Sequence, residues 1–317
     1  SKLRRSPRSA SRGKAAAPAA ARSARPRYDC DTRNEPLADL SIYLFWSGMA
    51  TAAIASLLYI AYVASAAVAI RSVRAQTTLG TVTLSAATGR PSPGIGRLAT
   101  TFTGITVIFL AGQVATRWAA VGHAPFANLY EFTAAFGFGI AAAYLAFEAN
   151  TRNRRFGLVA LPIVLGMLII ASLFPSDIVP LIPALQNGPL LTIHVSVMML
   201  SYAVLTVSFC GAAIYLLQGG EHRRRFAALP SAEAAGDLAH RAVMVGFPLL
   251  GLGIALGAWW ANSAWGRYWG WDPKETAALV TWLSIVAYFH ARAGTGTLAA
   301  APGIRRIVPA RLRRGWR

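Results

Sequence analysis

Residues 259–282 read WWANSAWGRYWGWDPKETAALVTW, and six of the chain's nine tryptophans fall within them. The segment joins two apolar runs, 243–260 and 276–291. Each approaches the ~20 residues that cross the roughly 30 Å hydrocarbon core of a bilayer as a helix. The tryptophan-rich stretch therefore reads as a loop at one membrane face between two spanning helices. Gly266 and Gly270 interrupt it, and Asp272-Pro273-Lys274-Glu275 is ready to start the second helix. Large flat side chains at this density suggest a surface that holds a large flat apolar molecule.

Five more apolar runs precede these two, at approximately 42–70, 99–118, 130–148, 157–174 and 190–217. None shows the dyad alternation of a barrel strand, and no open sheet satisfies its backbone in lipid. The expected fold class is all-α: a polytopic transmembrane helical bundle of about seven spans with an external tryptophan-rich loop. Composition agrees, with 55% of the 317 residues apolar or aromatic and 14% charged, at a mean hydropathy of +0.45. A soluble globule is excluded.

The formal net charge of +19 resides mostly in the two tails and a few short loops. It fits topology signals and contact with anionic lipid, and no nucleic-acid-binding motif accompanies it. Cys30 and Cys210 are the two cysteines, and neither C-x-x-C nor C-x-x-C-H occurs. The chain is thus neither a thiol reductant nor a c-type cytochrome. Its first 27 residues lack an apolar core segment and read as disordered, not as a cleavable signal. The expected division is a basic tail over 1–39, a first span with its loop over 40–98, a membrane domain over 99–292 and a basic tail over 293–317.

Arginines set the orientation. Arg71, Arg74, Arg90 and Arg97 mark one loop, Arg152, Arg154 and Arg155 the third, Arg223 to Arg225 the fifth, and Arg292, Arg305 and Arg306 the C-terminal tail. These share one side, taken as cytoplasmic. The alternate loops, 119–129, 175–189 and 261–275, hold only Arg267 and Lys274 as bases, which places the tryptophans outside at the plasma membrane. The basic N-terminus then falls outside too, against the rule. Four concordant segments outweigh it, because Asp29, Asp31, Glu35 and Asp39 lie closest to the first span.

Five histidines take their places in this scheme. His194 opens the outer end of the fifth span, His123 lies in an outer loop region, and His290 closes the seventh span at its inner end. His222 and His240 are expected in a cytoplasmic loop. A lone interfacial histidine is ordinarily solvated or packed. His194, however, is expected at the depth of the tryptophans, and neutral imidazole is an axial ligand of haem iron. His290 follows Thr276 by a helical rise of roughly 21 Å and would serve only a second site across the membrane.

Plainer readings stand beside these. Tryptophan belts mark membrane interfaces, but belts spread over many helix ends, and Trp259 and Trp282 read as such anchors. Asp272, Pro273 and Glu275 have the spacing of a helix cap, N1 proline and capping box. They are expected to hold the loop on its helix in preference to acid–base chemistry. Arg267 and Lys274 suit either haem propionates or the lipid interface.

The stretch WANSAWGRYWGWDPKE (260–275) resembles the WWD signature of the haem-handling proteins of cytochrome c biogenesis, most closely the CcsA (ResC) branch of System II. PALQNGPLLTIHVSVMMLSYAVL (183–205) resembles the segment bearing that family's first external haem-ligating histidine. GHAPFANLYEF (122–132) is similar to its H-x-P-x-x-N-x-Y-E stretch, and TWLSIVAYFHAR (281–292) to the helix with its transmembrane histidine. The resemblance covers about residues 100–292. It implies haem b as cofactor, a CcsB/ResB-type membrane subunit and apocytochrome c as partners, and transfer of haem to the outer face for attachment to C-x-x-C-H sequences. It further implies His194 as an axial ligand of the external haem. Trp265, Gly266, Tyr268, Trp269, Trp271 and Asp272 would form the platform, and His290 would ligate haem within the membrane.

The chain departs from the family after His290, where GTGTLAAAPGIRRIVPARLRRGWR (294–317) supplies neither a further span nor the family's second external histidine. Either the chain is truncated or altered there, or His123 or a partner residue replaces that ligand. Two other classes fit less of the sequence: a System I-type handler that delivers haem to a chaperone, and a transporter unrelated to haem.

Overall fold

The computed structural model describes residues 35–78, 91–178, 188–220 and 225–300. Residues 1–34 and 301–317 of the expected tails over 1–39 and 293–317, and His222, lie outside the described residues. Seven long helices run in sequence: α1 Glu35–Thr78, α2 Pro93–Val121, α3 Leu129–Thr151, α4 Gly157–Ser172, α5 Gly188–Gln218, α6 Ala232–Trp265 and α7 Pro273–Ala300, with one turn of 3-10 helix at Arg154–Phe156. No strand occurs among the described residues.

Six of these are long and apolar enough to cross a membrane. Only a helix satisfies its own backbone inside lipid, so an apolar run of this length has one outcome. α7 is as long but carries Thr281, Ser284, His290 and Arg292 along its length, which dilute its apolar character. Local chemistry sets the ends. Asn128 caps α3 by accepting from the Glu131 amide at 2.8 Å, Ser231 caps α6 through the Ala234 amide at 3.2 Å, and Pro93 starts α2, where a missing N–H costs nothing.

Both ends of α6 lie beyond the expected run. α6 begins at Ala232, eleven residues before the expected 243, because the Ser231 cap starts the helix there. It also continues to Trp265, so the loop proper is 266–272. His240 is therefore a helical residue and not part of a cytoplasmic loop.

α1 packs along α2 and against α4, α3 against α2, α4 and α5, and α5 along α6, while α7 rests chiefly on α6. Fully buried alanines line these seams, among them Ala52, Ala99, Ala134, Ala160, Ala203 and Ala235. Lipid tails are as apolar as leucine, so helices gain by close packing through small residues and not by the hydrophobic effect. Leu57, Ile108, Leu173 and Leu216 face outward.

Polar clamps lie at the two ends of the bundle. At the end near the tryptophan loop, Arg117 of α2 donates from Nε to Glu131 Oε1 at 2.9 Å, both groups being buried. The guanidinium also donates to the Ser176 carbonyl at 2.5 Å, and its centre lies 5.6 Å from the Tyr130 ring centroid. Glu131 takes a further bond from the Ala127 amide at 2.9 Å. Thus the pair fastens the 122–128 turn and the chain after α4 to one helix end. At the arginine-rich end, buried Glu148 accepts from the Tyr59 and Tyr144 hydroxyls, each at 2.5 Å.

Breaking a buried ion pair by removing one partner leaves the other charge without compensation and costs about 3–5 kcal/mol. Glu131→Ala is expected to lower the thermal midpoint of the purified protein markedly. Arg117→Met with Glu131→Leu is expected to cost less than either single change, as read by thermal melting in detergent.

Candidate functional site

The site begins on the α5–α6 seam. Three α5 side chains donate to α6 backbone carbonyls: Ser208 to Ala239 at 3.0 Å, Ser201 to Gly246 at 2.9 Å and His194 to Gly253 at 2.9 Å. Donors and acceptors both step by seven residues in opposite directions, so the two helices hold one register along their length. Gly246, Gly253 and Gly257 on α6 face Leu205, Met198 and His194. A Cβ on Gly257 would lie 2.6 Å from His194 Cε1, so only glycine lets the imidazole lie against α6.

This bond fixes the chemistry of His194. A carbonyl only accepts, so Nδ1 carries the proton and Nε2 presents a lone pair. Ligating histidines are commonly oriented in this way by a carbonyl behind the ring. The His194 ring lies parallel to Trp260, at 2° and 6.5 Å between centroids, and Trp260 meets Trp265 edge to face at 6.4 Å. His194, Trp260 and Trp265 thus form one run of ring contacts. Within it, Trp260 Nε1 is buried without a hydrogen-bond partner among the described residues.

Gly266 ends α6 in the left-handed region at φ 69°, a conformation that glycine adopts without penalty. Trp271 also has a positive φ, 57°, which costs a residue with a side chain roughly 1–2 kcal/mol. Glu275 compensates: its Oε2 accepts from the amides of Gly270 at 2.8 Å and Asp272 at 3.3 Å, on either side of Trp271. Asp272 Oδ1 in turn accepts from the Glu275 amide at 2.8 Å, completing the capping box. The result holds Trp271 out at 70% exposure, with Trp269 edge-on to it at 5.8 Å. Trp265 and Tyr268 are exposed as well. Arg267 lies over Gly270, and Lys274 is exposed.

The other histidines separate into two places. His123 sits in the turn after α2 that the Arg117–Glu131 pair secures, half-buried, with Nδ1 bonded to the Ala124 carbonyl at 3.0 Å. No ring contact joins it to the tryptophans among the described residues. His240 of α6 bonds from its ring to the Tyr288 hydroxyl of α7 at 3.0 Å. It lies thirteen residues before Gly253, a rise of roughly 20 Å along α6. His290, one turn from Val286, donates from Nδ1 to that residue's carbonyl at 2.9 Å and is exposed. Its Nε2 therefore also offers a lone pair, on a surface away from His194. Trp282 stacks on Phe247 at 5.0 Å and anchors α7 to α6, while Trp259 faces outward.

Sequence reasoning missed Trp260 as the stacking partner of His194 and the glycines that admit the ring. The spacing Gly246, Gly253, Gly257 within an apolar run was the available signal, since small residues at such intervals mark close helix crossings in membranes. It also missed the Arg117–Glu131 pair, which only the meeting of two helices reveals.

Comparison with known proteins places this sequence in a family. The family model described as cytochrome C assembly protein matches residues 126–308, which include His194, the tryptophan loop and His290. The cytochrome c biogenesis protein CcsA of Microcystis aeruginosa is 35% identical over 265 residues, covering 67% of this chain and 80% of that protein. CcsA of Porphyra purpurea is 35% identical over 243 residues, with 63% and 76% covered. For CcsA of Guillardia theta the identity is 37% over 222 residues, with 62% and 72% covered. With the model spanning more than half of its length and these relatives matched over most of theirs, the chain belongs to the cytochrome c assembly family as a CcsA-type, multi-pass membrane protein of cytochrome c biogenesis.

Proposed function

We propose that this protein handles haem b for cytochrome c assembly, presenting it at the outer membrane face for attachment to C-x-x-C-H apocytochromes. The observation that carries the reading is His194, whose Nε2 lone pair is set by the Gly253 carbonyl and whose ring stacks on the tryptophan surface. These residues suit a porphyrin: one imidazole nitrogen for iron, exposed indoles for the macrocycle, and Arg267 and Lys274 for carboxylates.

On this reading His194 is an axial ligand of the external haem. Trp265, Gly266, Tyr268, Trp269, Trp271 and Asp272 form the platform, with Asp272 acting through the helix cap. His290 serves a second haem within the membrane, and its exposure suits a ligand sphere completed by a CcsB/ResB-type subunit. When bound, haem supplies the reactive vinyl groups, and the protein contributes orientation and ligation. CcsA-named relatives favour this route over delivery to a covalent chaperone.

The protein purified with its partner from cells supplied with haem is expected to show a Soret band. His194→Ala and His290→Ala should each lower haem content, and added imidazole should restore part of it by filling the vacated position. A colourless preparation would refute the proposal.

Gly257→Ala tests the seam itself. Its new methyl group collides with the imidazole, and overpacking of this kind costs about 1–3 kcal/mol. We expect a spectrum shifted towards that of His194→Ala with insertion intact, whereas Gly104→Ala, which meets nothing within 4 Å, should leave the spectrum unchanged.

The tryptophan loop is expected on the extracytoplasmic side. Single cysteines at 266–270 should react with an impermeant thiol reagent in intact cells. Labelling only after permeabilisation would reverse the topology.

A further inference from the structure

A cavity of about 340 Å³ opens at the arginine-rich end of the bundle, lined by Thr100, Leu145, Glu148, Ala149, Arg152 and Arg154. It stands apart from the tryptophan loop: Arg155, next in the chain, bonds to the Leu229 carbonyl in the connection between α5 and α6 at 3.4 Å, at the opposite end of α6 from Trp265.

The charges at this cavity are unequal in what they leave available. Glu148 is buried and already occupied, accepting from the hydroxyls of Tyr59, Tyr144 and Thr100 and lying 3.5 Å from Arg154 Nε. Its negative charge is thereby spread over three donors and one guanidinium. Arg154 uses Nε for Thr100 at 2.9 Å, and its two terminal nitrogens form no hydrogen bond among the described residues. The Arg152 guanidinium likewise forms none. The backbone directs Arg152 here: its φ of 54° turns the chain sharply after α3, and its amide bonds to the Glu148 carbonyl at 2.8 Å.

Two guanidinium groups thus stand at the mouth of a cavity whose wall is aliphatic, through Leu145 and Ala149, where a spanning helix meets the membrane surface. A guanidinium pairs with phosphate oxygens in forked geometry, and anionic headgroups concentrate at this depth. We propose that the cavity binds an anionic phospholipid, with Arg152 and Arg154 holding the headgroup phosphate and Leu145 and Ala149 contacting the adjoining acyl chain. Glu148 is a positioning residue, bracing Arg154 through its carboxylate and through Thr100.

The test is lipid titration of the detergent-purified full chain by native mass spectrometry, with phosphatidylglycerol and phosphatidylcholine of the same acyl chains. Phosphatidylglycerol should be retained preferentially, and each arginine removed should weaken it roughly fivefold. Arg152→Gln is the primary variant, because its side chain braces nothing and its loss leaves the Glu148 cluster whole; Arg152→Gln with Arg154→Gln should abolish the preference. Ala149→Trp, which fills the cavity from its exposed edge, should also lower retention. Equal retention of the two lipids, or undiminished phosphatidylglycerol binding in Arg152→Gln, overturns the proposal. So does full displacement by inorganic phosphate or by haemin, which would assign the site to a free anion or to the porphyrin.

Discussion

The close approach of α5 to α6 is the constraint on which the site depends. Within a bilayer no hydrophobic driving force pulls two helices together, so contact must come from packing and from hydrogen bonds. Here glycines at 246, 253 and 257 remove the obstacle, and Ser208, Ser201 and His194 supply the bonds. His194 is therefore a structural member of the seam and, on the proposed reading, also its ligand. Binding to its Nε2 does not require giving up the bond at Nδ1, so one ring performs both tasks.

Buried charge is distributed to serve this arrangement. An ionised group inside a membrane protein is costly unless it is paired and hydrogen-bonded. Arg117 with Glu131, and Glu148 with its hydroxyl donors, meet that condition at opposite ends of α1–α4. Those helices form the stable frame, and α5 joins it through α3. α7 leans mainly on α6 through Trp282, Tyr288 and Phe289. His290 is thus carried by a helix that, among the described residues, packs chiefly on one neighbour.

The tryptophan loop shows how strain is held at an exposed surface. Trp271 would relax from its positive φ without restraint, and the restraint is the carboxylate of Glu275 gripping the amides on both sides. Asp272 and Glu275 thereby hold the loop in the shape that leaves Trp271 exposed. Exposure of large aromatic rings carries a hydration cost, which the lipid interface or a bound molecule offsets.

Much of this was written in the sequence. Runs of apolar residues near membrane-spanning length permit one backbone solution in lipid, so the helices and their order followed from hydropathy alone. The capping box at Asp272–Glu275 and the gathering of tryptophans were equally local, set by spacing within a few residues. Tertiary structure decided what spacing leaves open. The pairing of Arg117 with Glu131, the stacking of His194 on Trp260, the contact of His240 with Tyr288 and the extension of α6 past both expected ends each depend on which helix faces which, and at what register. Hydropathy does not encode that register, because most lipid-facing and seam-facing positions in such a helix are apolar alike. It emerges from glycines, serines and a histidine meeting across α5 and α6, residues whose meaning appears only once the helices are side by side.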